Sequence, residues 1–335
     1  MNLQKLKKSF IIAEIGNNHE GSFNAACKLI KKAKDAGVDA VKFQTFETRN
    51  FINKLDAKRF NRLKKFELTK EEFYKLSLLA KSYDLKFIST PFDINSAIFL
   101  NKIVDLFKIS SGDNNYFDLI EKVLKFNKST IISTGLLNYS KINHLYKFIK
   151  KINFNISKLG LLHCVSSYPT PNKQANLSSI SFLRKKFSIA IGYSDHTIGE
   201  SASLVAVALG AKIIEKHFTL DNNYSRFRDH KISLNPKNMK YLIDSIRSVE
   251  EMMGTEQKIV QSCEKKNINS MRRSIYSSRF IPRNSRIALN DILILRPFAS
   301  LEPNKIAKVV GKINKKNIKS HEPLFLKDLK LDYKK

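Results

Sequence analysis

The chain has 335 residues, 42% of them hydrophobic, and a formal net charge of +30. That length allows one large domain and a small one with buried cores, and no run approaches the ~20 apolar residues that span a bilayer. The charge raises the question of a polynucleotide, but the lysines are spread along the whole chain, with neither an Arg-rich arm nor zinc-finger spacing.

Pairs such as Lys31–Lys32, Lys64–Lys65 and Lys150–Lys151 fall in helical patterns or at their ends. They read as solvated helix faces, so neither a nucleic-acid nor a membrane partner is expected. The positive field would still draw anionic substrates such as phosphates. The basic start "MNLQKLKKSFIIAEIG" has a short apolar run and no small-residue cleavage site, which is not the pattern of a signal peptide. Cys27, Cys164 and Cys263 are far apart and odd in number. They suggest neither a disulfide framework nor a cysteine metal site, and a reducing cytoplasm fits.

Apolar runs alternate with helical patterns. "FIIAEIG" (10–16) precedes "NAACKLIKKAKDAG"; "AVKFQTF" (40–46) precedes a long polar stretch and "KEEFYKLSLLAKSYD". "KFISTPF" (86–92), "LFKISSG" (106–112), "STIISTG" (129–135), "LGLLHCV" (159–165), "IAIGYSD" (189–195) and "KIIEKHF" (212–218) follow, each before another helical pattern, the last at 236–254. Strands apolar on both faces that alternate with helices predict a parallel sheet. Eight such units predict a closed (β/α)₈ TIM barrel rather than an open doubly wound sheet, and no Gly-x-Gly-x-x-Gly follows the first strand. We expect the barrel over 1–254, a linker over 255–270, and a small, mostly β second domain over 271–335 with a short helix near 302–309.

Most of the strand runs finish on polar or charged groups: Glu14, Lys42 with Gln44, Thr90, Lys108 with Ser111, Ser133, His163, Ser194 with His196, and Glu215 with His217. In such a barrel the C-terminal strand ends form the active-site mouth. His196 and His217 would end adjacent strands, about 4.8 Å apart. Two imidazoles with open positions suit a catalytic divalent ion such as Mn²⁺; two core or hydrogen-bonding histidines are the plain alternative. His144 in a helix and His163 inside the barrel read as structural.

Lys42, Lys108 and Lys216 are candidate anion binders, because a lysine in an apolar strand needs a partner. A phosphate held with Ser111 would supply one. An internal ion pair, perhaps with Glu14, would supply another, and a Schiff-base lysine is a third reading. Glu14 is the leading acid/base candidate.

Together the segments "AEIGNNHEG", "VKFQTF", "FKISSGDNN", "ISTG", "LHCVSSYPTP", "GYSDHTIG" and "IEKHFTLD" resemble, in order and spacing, the sialic acid (N-acetylneuraminate) synthase family. "RRSIYSSRFIP…ILRPF…VVGK" resembles that family's C-terminal SAF (antifreeze-like) domain. The resemblance implies a transferase that condenses phosphoenolpyruvate with N-acetylmannosamine, or a legionaminic-type 2,4-diacetamido-6-deoxy sugar. The products would be a nine-carbon 2-keto acid and phosphate, released by C–O cleavage without an enzyme adduct. It implies Mn²⁺ or Mg²⁺ on His196 and His217, with Glu14 and Asp113 also in the catalytic set. It places Lys42, Lys108, Ser111, Ser133 and Ser194 at phosphoenolpyruvate, Gln44, Asp113, Tyr168 and Asp229 near the sugar or the metal-centred reaction, and Ser166 among the substrate-binding residues. It further implies a domain-swapped homodimer in which Arg296 reaches across to the partner's sugar. "FASLEP" and "FRDH" depart from the family's usual segments, and Arg226 or Arg228 stands where sugar preference would be set. The reading from another class is a basic binding protein that reuses the fold; a complete Glu14, Lys42, Lys108, His196, His217 and Arg296 set argues against it.

Overall fold

The computed structural model describes residues 1–330; residues 331–335, the end of the expected second domain, lie outside the described residues. The chain forms two compact units, Met1–Gly254 and Thr255–Lys335.

In the first unit eight parallel strands close in sequence order: β1 (Phe10–Gly16), β2 (Ala40–Thr45), β3 (Lys86–Pro91), β4 (Leu106–Ile109), β5 (Ser129–Ser133), β6 (Leu159–Cys164), β7 (Ala190–Asp195) and β8 (Ile213–His217). The expected barrel is the observed one. Successive strand residues face opposite sides of a sheet. One set faces the barrel axis and begins with an apolar floor of Ile12, Ala40, Ile88, Leu106, Ile131, Leu162 and Ile213. Leu3, from the 3₁₀ turn Leu3–Lys5, joins that floor and is fully buried. The other set, including Ile11, Val41, Phe87, Phe107 and Ile214, packs outward against the helices.

Helix starts follow local chemistry. Ser22 caps Phe23–Ala36 by accepting from the Ala25 N–H, and Gly37 ends that helix at φ 91°. Thr69 and Glu72 form a reciprocal capping box at Lys70–Ser82. The polar stretch after β2 also contains a helix, Ala57–Phe66, that the apolar pattern did not reveal; Leu63 and Phe66 are its buried residues. No helix among the described residues is long and apolar enough to cross a membrane.

The second unit has an antiparallel pair, β9 (Ser274–Ser277) and β10 (Ile292–Leu295), over a core of Ile275, Ile281, Ile287, Val309, Ile318, Leu324 and Leu329. A 3₁₀ segment spans Pro303–Lys308. Residues 255–270, expected as a linker, group with this unit; they include a short helix, Ser262–Lys265, and the start of another, Ile268–Met271. The first is closed by the Glu264 carboxylate, which accepts from the Gln261 N–H at 2.9 Å.

Candidate active site

Two residues above the apolar floor, the inward-facing set becomes polar. Strand register brings Glu14 level with Lys42 on one side and His217 on the other, and Ser194 level with Glu215. Glu14, Lys42, Lys108, Ser133, Ser194, His196 and His217 surround one chamber of about 50 Å³, together with Ser111 and Tyr168. The chamber lies beneath a cleft of about 660 Å³ whose wall includes Gln44, Asp113, Ser166, Tyr168, His217 and Asp229. Thus Glu14, Gln44, Asp113, Ser166, Asp229 and the other barrel candidates line the chamber or the cleft, with Lys216 and Arg226 as the exceptions. Arg296 belongs to the second unit, is exposed, and follows β10.

The chamber is an ionic network. Lys42 Nζ lies 2.7 Å from Glu14 Oε2 and 3.7 Å from Glu215 Oε2. Lys108 Nζ lies 3.4 Å from Glu215 Oε1, and Ser194 Oγ donates to that oxygen at 2.9 Å. The two carboxylates are pushed in opposite directions. Burial outweighs the pull of Lys42 and holds Glu14 above the usual carboxylate range. For Glu215 burial is overcome by Lys108, Lys42 and the Ser194 hydrogen bond, and its pKa stands low. Two carboxyl groups with diverging pKa values are the usual basis of an acid/base assignment. Lys108 is lowered, chiefly by burial.

The rings of His196 and His217 are 5.4 Å apart, and Tyr168 packs on His196 at 4.1 Å. His196 Nδ1 is 2.9 Å from the Val165 carbonyl. Donation there leaves Nε2 as the lone-pair nitrogen. For His196, burial is outweighed by Cys164, the Val165 carbonyl and Glu215, so its pKa is raised. Burial, with the charges of His196, Lys42, Lys216 and Lys108, holds His217 neutral, well below the usual range. His217 Nδ1 has no hydrogen-bond partner. This donor set fits a divalent ion that keeps most of its sites for water or substrate; among the described residues no group of three or more His, Cys, Asp and Glu could hold one.

Orphaned buried atoms gather here. Ser133 Oγ and Ser166 Oγ have no partner, unusual for buried polar atoms. Gly135 makes room for two of the serines: a Cβ there would sit 2.4 Å from Ser166 Oγ and 2.6 Å from Ser111 Oγ. Asp113 is hydrogen-bonded to Ser110 and raised by burial; burial likewise raises Asp229, against the pull of Arg228.

Lys216 corrects one expectation. It faces away from the chamber, 3.0 Å from Asp195 with both side chains fully buried, and donates to the Thr197 carbonyl. Alternation sends Glu215 and His217 inward and Lys216 outward. Of the two arginines near Asp229, only Arg228 lines the cleft; its guanidinium lies 4.8 Å over the Tyr168 ring. Glu215 was legible only as a polar strand end and had no role assigned. Its two-residue spacing from His217 was the available signal. Arg59 and Arg62 were missed because they ride on the helix Ala57–Phe66.

Fold and site define a (β/α)₈-barrel enzyme with a cationic, histidine-edged mouth. Residues 29–258 match the NeuB family and residues 272–330 the SAF domain. The chain is 38% identical over 331 residues to the N,N'-diacetyllegionaminic acid synthase of Campylobacter jejuni, covering 95% of this chain and 99% of the relative. It is 40% identical over 327 residues to an uncharacterized protein of Methanocaldococcus jannaschii, covering 97% and 96%. The crystal structure of an N-acetylneuraminic acid (sialic acid) synthetase from Leptospira borgpetersenii, in complex with citrate, aligns with TM-score 0.74 and 36% identity over 78% of this chain and 90% of that one. The chain belongs to the NeuB family.

Proposed function

We propose that the enzyme condenses phosphoenolpyruvate with the open-chain aldehyde of an N-acylmannosamine-type sugar. The observation that carries this reading is the chamber, where Lys42 and Lys108 converge with the unpartnered Ser133 hydroxyl beneath a sugar-sized cleft that holds the unpartnered Ser166 hydroxyl. A phosphate or carboxylate there would be met by two ammonium groups and several donors.

The methylene carbon of phosphoenolpyruvate bonds to the aldehyde carbon. Water adds at the carbon bearing the phosphate, whose C–O bond breaks, so sugar, phosphoenolpyruvate and water give the nine-carbon 2-keto acid and inorganic phosphate. Lys42 and Lys108 hold the phosphate and carboxylate, with Ser111, Ser133 and Ser166 as donors and Ser194, which donates to Glu215, beside them. Glu14, with its raised pKa, moves a proton to or from the reacting oxygens. Glu215 stays ionised and sets the spacing of the two lysines. Gln44, Asp113, Tyr168 and Asp229 face the sugar. His196 and His217 would hold Mn²⁺ or Mg²⁺, which supplies Lewis-acid polarisation of the aldehyde when bound. Arg296 we assign to the sugar of a partner subunit in a homodimer.

The name of the Campylobacter relative favours a 2,4-diacetamido-6-deoxy acceptor. N-acetylmannosamine is the second reading, favoured by the Leptospira structure. The test is phosphate release from phosphoenolpyruvate with each sugar, in Mn²⁺ and in EDTA. Release that needs one sugar and the metal supports the reaction and names the acceptor. Folded, metal-loaded protein that releases phosphate with neither sugar overturns the reading. Mixed dimers of Arg296→Ala and Lys42→Met protomers test the crossing arginine, because only a shared site regains activity on mixing.

A further inference from the structure

The side chain of Asn17, just beyond β1, is oriented by a chain of hydrogen bonds that starts at a carboxylate. Glu14 Oε1 accepts from Gln44 Nε2 at 3.2 Å. The other oxygen of Glu14, Oε2, faces Lys42 Nζ at 2.7 Å, which leaves Oε1 as the acceptor for Gln44. Gln44 must therefore turn its NH₂ towards Glu14 and its carbonyl away. That carbonyl accepts from Asn17 Nδ2 at 2.9 Å. Asn17 is fixed in turn: its NH₂ serves Gln44, and Oδ1 is left over.

Oδ1 is buried and has no hydrogen-bond partner. Asn17 as a whole is 5% exposed, yet it forms part of the wall of the outer cleft together with Gln44, His217 and Asp229. The Glu20 N–H donates to the Asn17 carbonyl at 2.9 Å and holds the turn. A buried amide oxygen left without a donor beside an open cleft is unfavourable until something arrives to donate to it.

We infer that Asn17 is a specificity-determining residue for the acceptor: its Oδ1 accepts a hydrogen bond from a hydroxyl or acylamide N–H of the sugar. This rests on the acceptor reading of the cleft given above. The site demands a donor at this point. A carbonyl or carboxylate substituent placed here would meet a lone pair, and a deoxy position would leave the oxygen orphaned. The same amide also positions Gln44 against Glu14, so the residue ties sugar recognition to the acid/base group.

The experiment is steady-state kinetics on the full-length protein, with KM measured separately for the sugar and for phosphoenolpyruvate in wild type, Asn17→Ala and Asn17→Asp. Asn17→Ala is expected to raise the sugar KM about tenfold while the phosphoenolpyruvate KM moves less than about twofold. Asn17→Asp keeps an oxygen at the site, so its sugar KM stays nearer to wild type than that of Asn17→Ala. If Asn17→Ala melts early, Asn17→Ser, whose hydroxyl is too short to span to Gln44, reads the same split. An unchanged sugar KM in a folded variant overturns the inference, and so does an equal rise in both KM values. Wild-type protein that turns over neither sugar overturns instead the reading on which it rests.

Discussion

Lys42 Nζ and Glu14 Oε2 meet at 2.7 Å, with side chains only 4% and 3% exposed. They sit opposite each other in the register of β1 and β2, so the pair is set by the ladder itself. Glu215, at 3.7 Å, draws the same ammonium from β8, on the other side of β1. Lys42 is raised: burial lowers it, but Glu14 and Glu215 more than compensate.

Removing one member of this pair should be worse than removing both. Lys42→Met leaves the buried carboxylates of Glu14 and Glu215 without the ammonium between them, a loss of roughly 3–5 kcal/mol for breaking a buried pair. Lys42→Met combined with Glu14→Gln should recover most of it. Urea midpoints of the three proteins check this. Equal midpoints for the single and double variants would show that the pair is not coupled as the distances indicate.

His217 separates activity from folding. It ends a strand at the mouth, and its Nδ1 has no partner to lose. His217→Ala should lower phosphate release at least about 100-fold, given the several kcal/mol a Lewis-acid site supplies. Its melting temperature should stay close to wild type. Near-normal rates in Mn²⁺ would remove His217 from the metal assignment.

Acid should weaken the fold partly through His19. Burial pushes this imidazole down to about 4 from the usual 6.5, and its Nδ1 accepts from the Gly21 N–H at 3.0 Å. The folded state therefore holds it neutral, while the unfolded chain takes up a proton near the usual value. Its contribution is complete above that value and is lost as the pH falls towards the depressed one. The slope is at most about 1.4 kcal/mol per pH unit. His217 acts in the same direction. Urea unfolding at several pH values between neutrality and pH ~4.5 should show the decline. His19→Leu should make it shallower, and an unchanged slope would count against His19.

Gly135 is predicted to matter for what it lacks. A methyl group there would meet Ser166 Oγ and Ser111 Oγ well inside contact distance. Gly135→Ala should displace both hydroxyls, raise the KM for phosphoenolpyruvate and destabilise the fold by about 1–3 kcal/mol, as overpacking does. Kinetics and a denaturation curve report the two effects separately. An unaltered KM would mean that these serines do not touch the substrate.

Much of this molecule could be read from its residues. Eight apolar runs, each followed by a helical pattern, led to the closed barrel, because a strand apolar on both faces needs cover on both. The polar ends of those runs located the mouth, and Glu14, Lys42, Lys108, Ser194 and His217 all stand there. The family motifs then supplied roles that spacing alone left open. The helix Ala57–Phe66, with Arg59 and Arg62, stayed hidden because only Leu63 and Phe66 interrupt its polar run as buried residues.

Which residues reach the ends of the strands follows from the chain alone, since hydrophobic runs and their terminators are local properties. Which of them face one another follows from the folded barrel. Glu215, Lys216 and His217 are equivalent as text, but the pleat turns the first and third into the chamber and the second against Asp195. The pairing of Lys42 with Glu14 and the leftover oxygen of Asn17 follow from the register of β1 and β2, while the bridge of Glu215 to Lys108 depends on closure of the barrel. Closure brings residues some two hundred positions apart within hydrogen-bonding distance, and there burial and mutual charge, rather than residue type, set which proton each group holds.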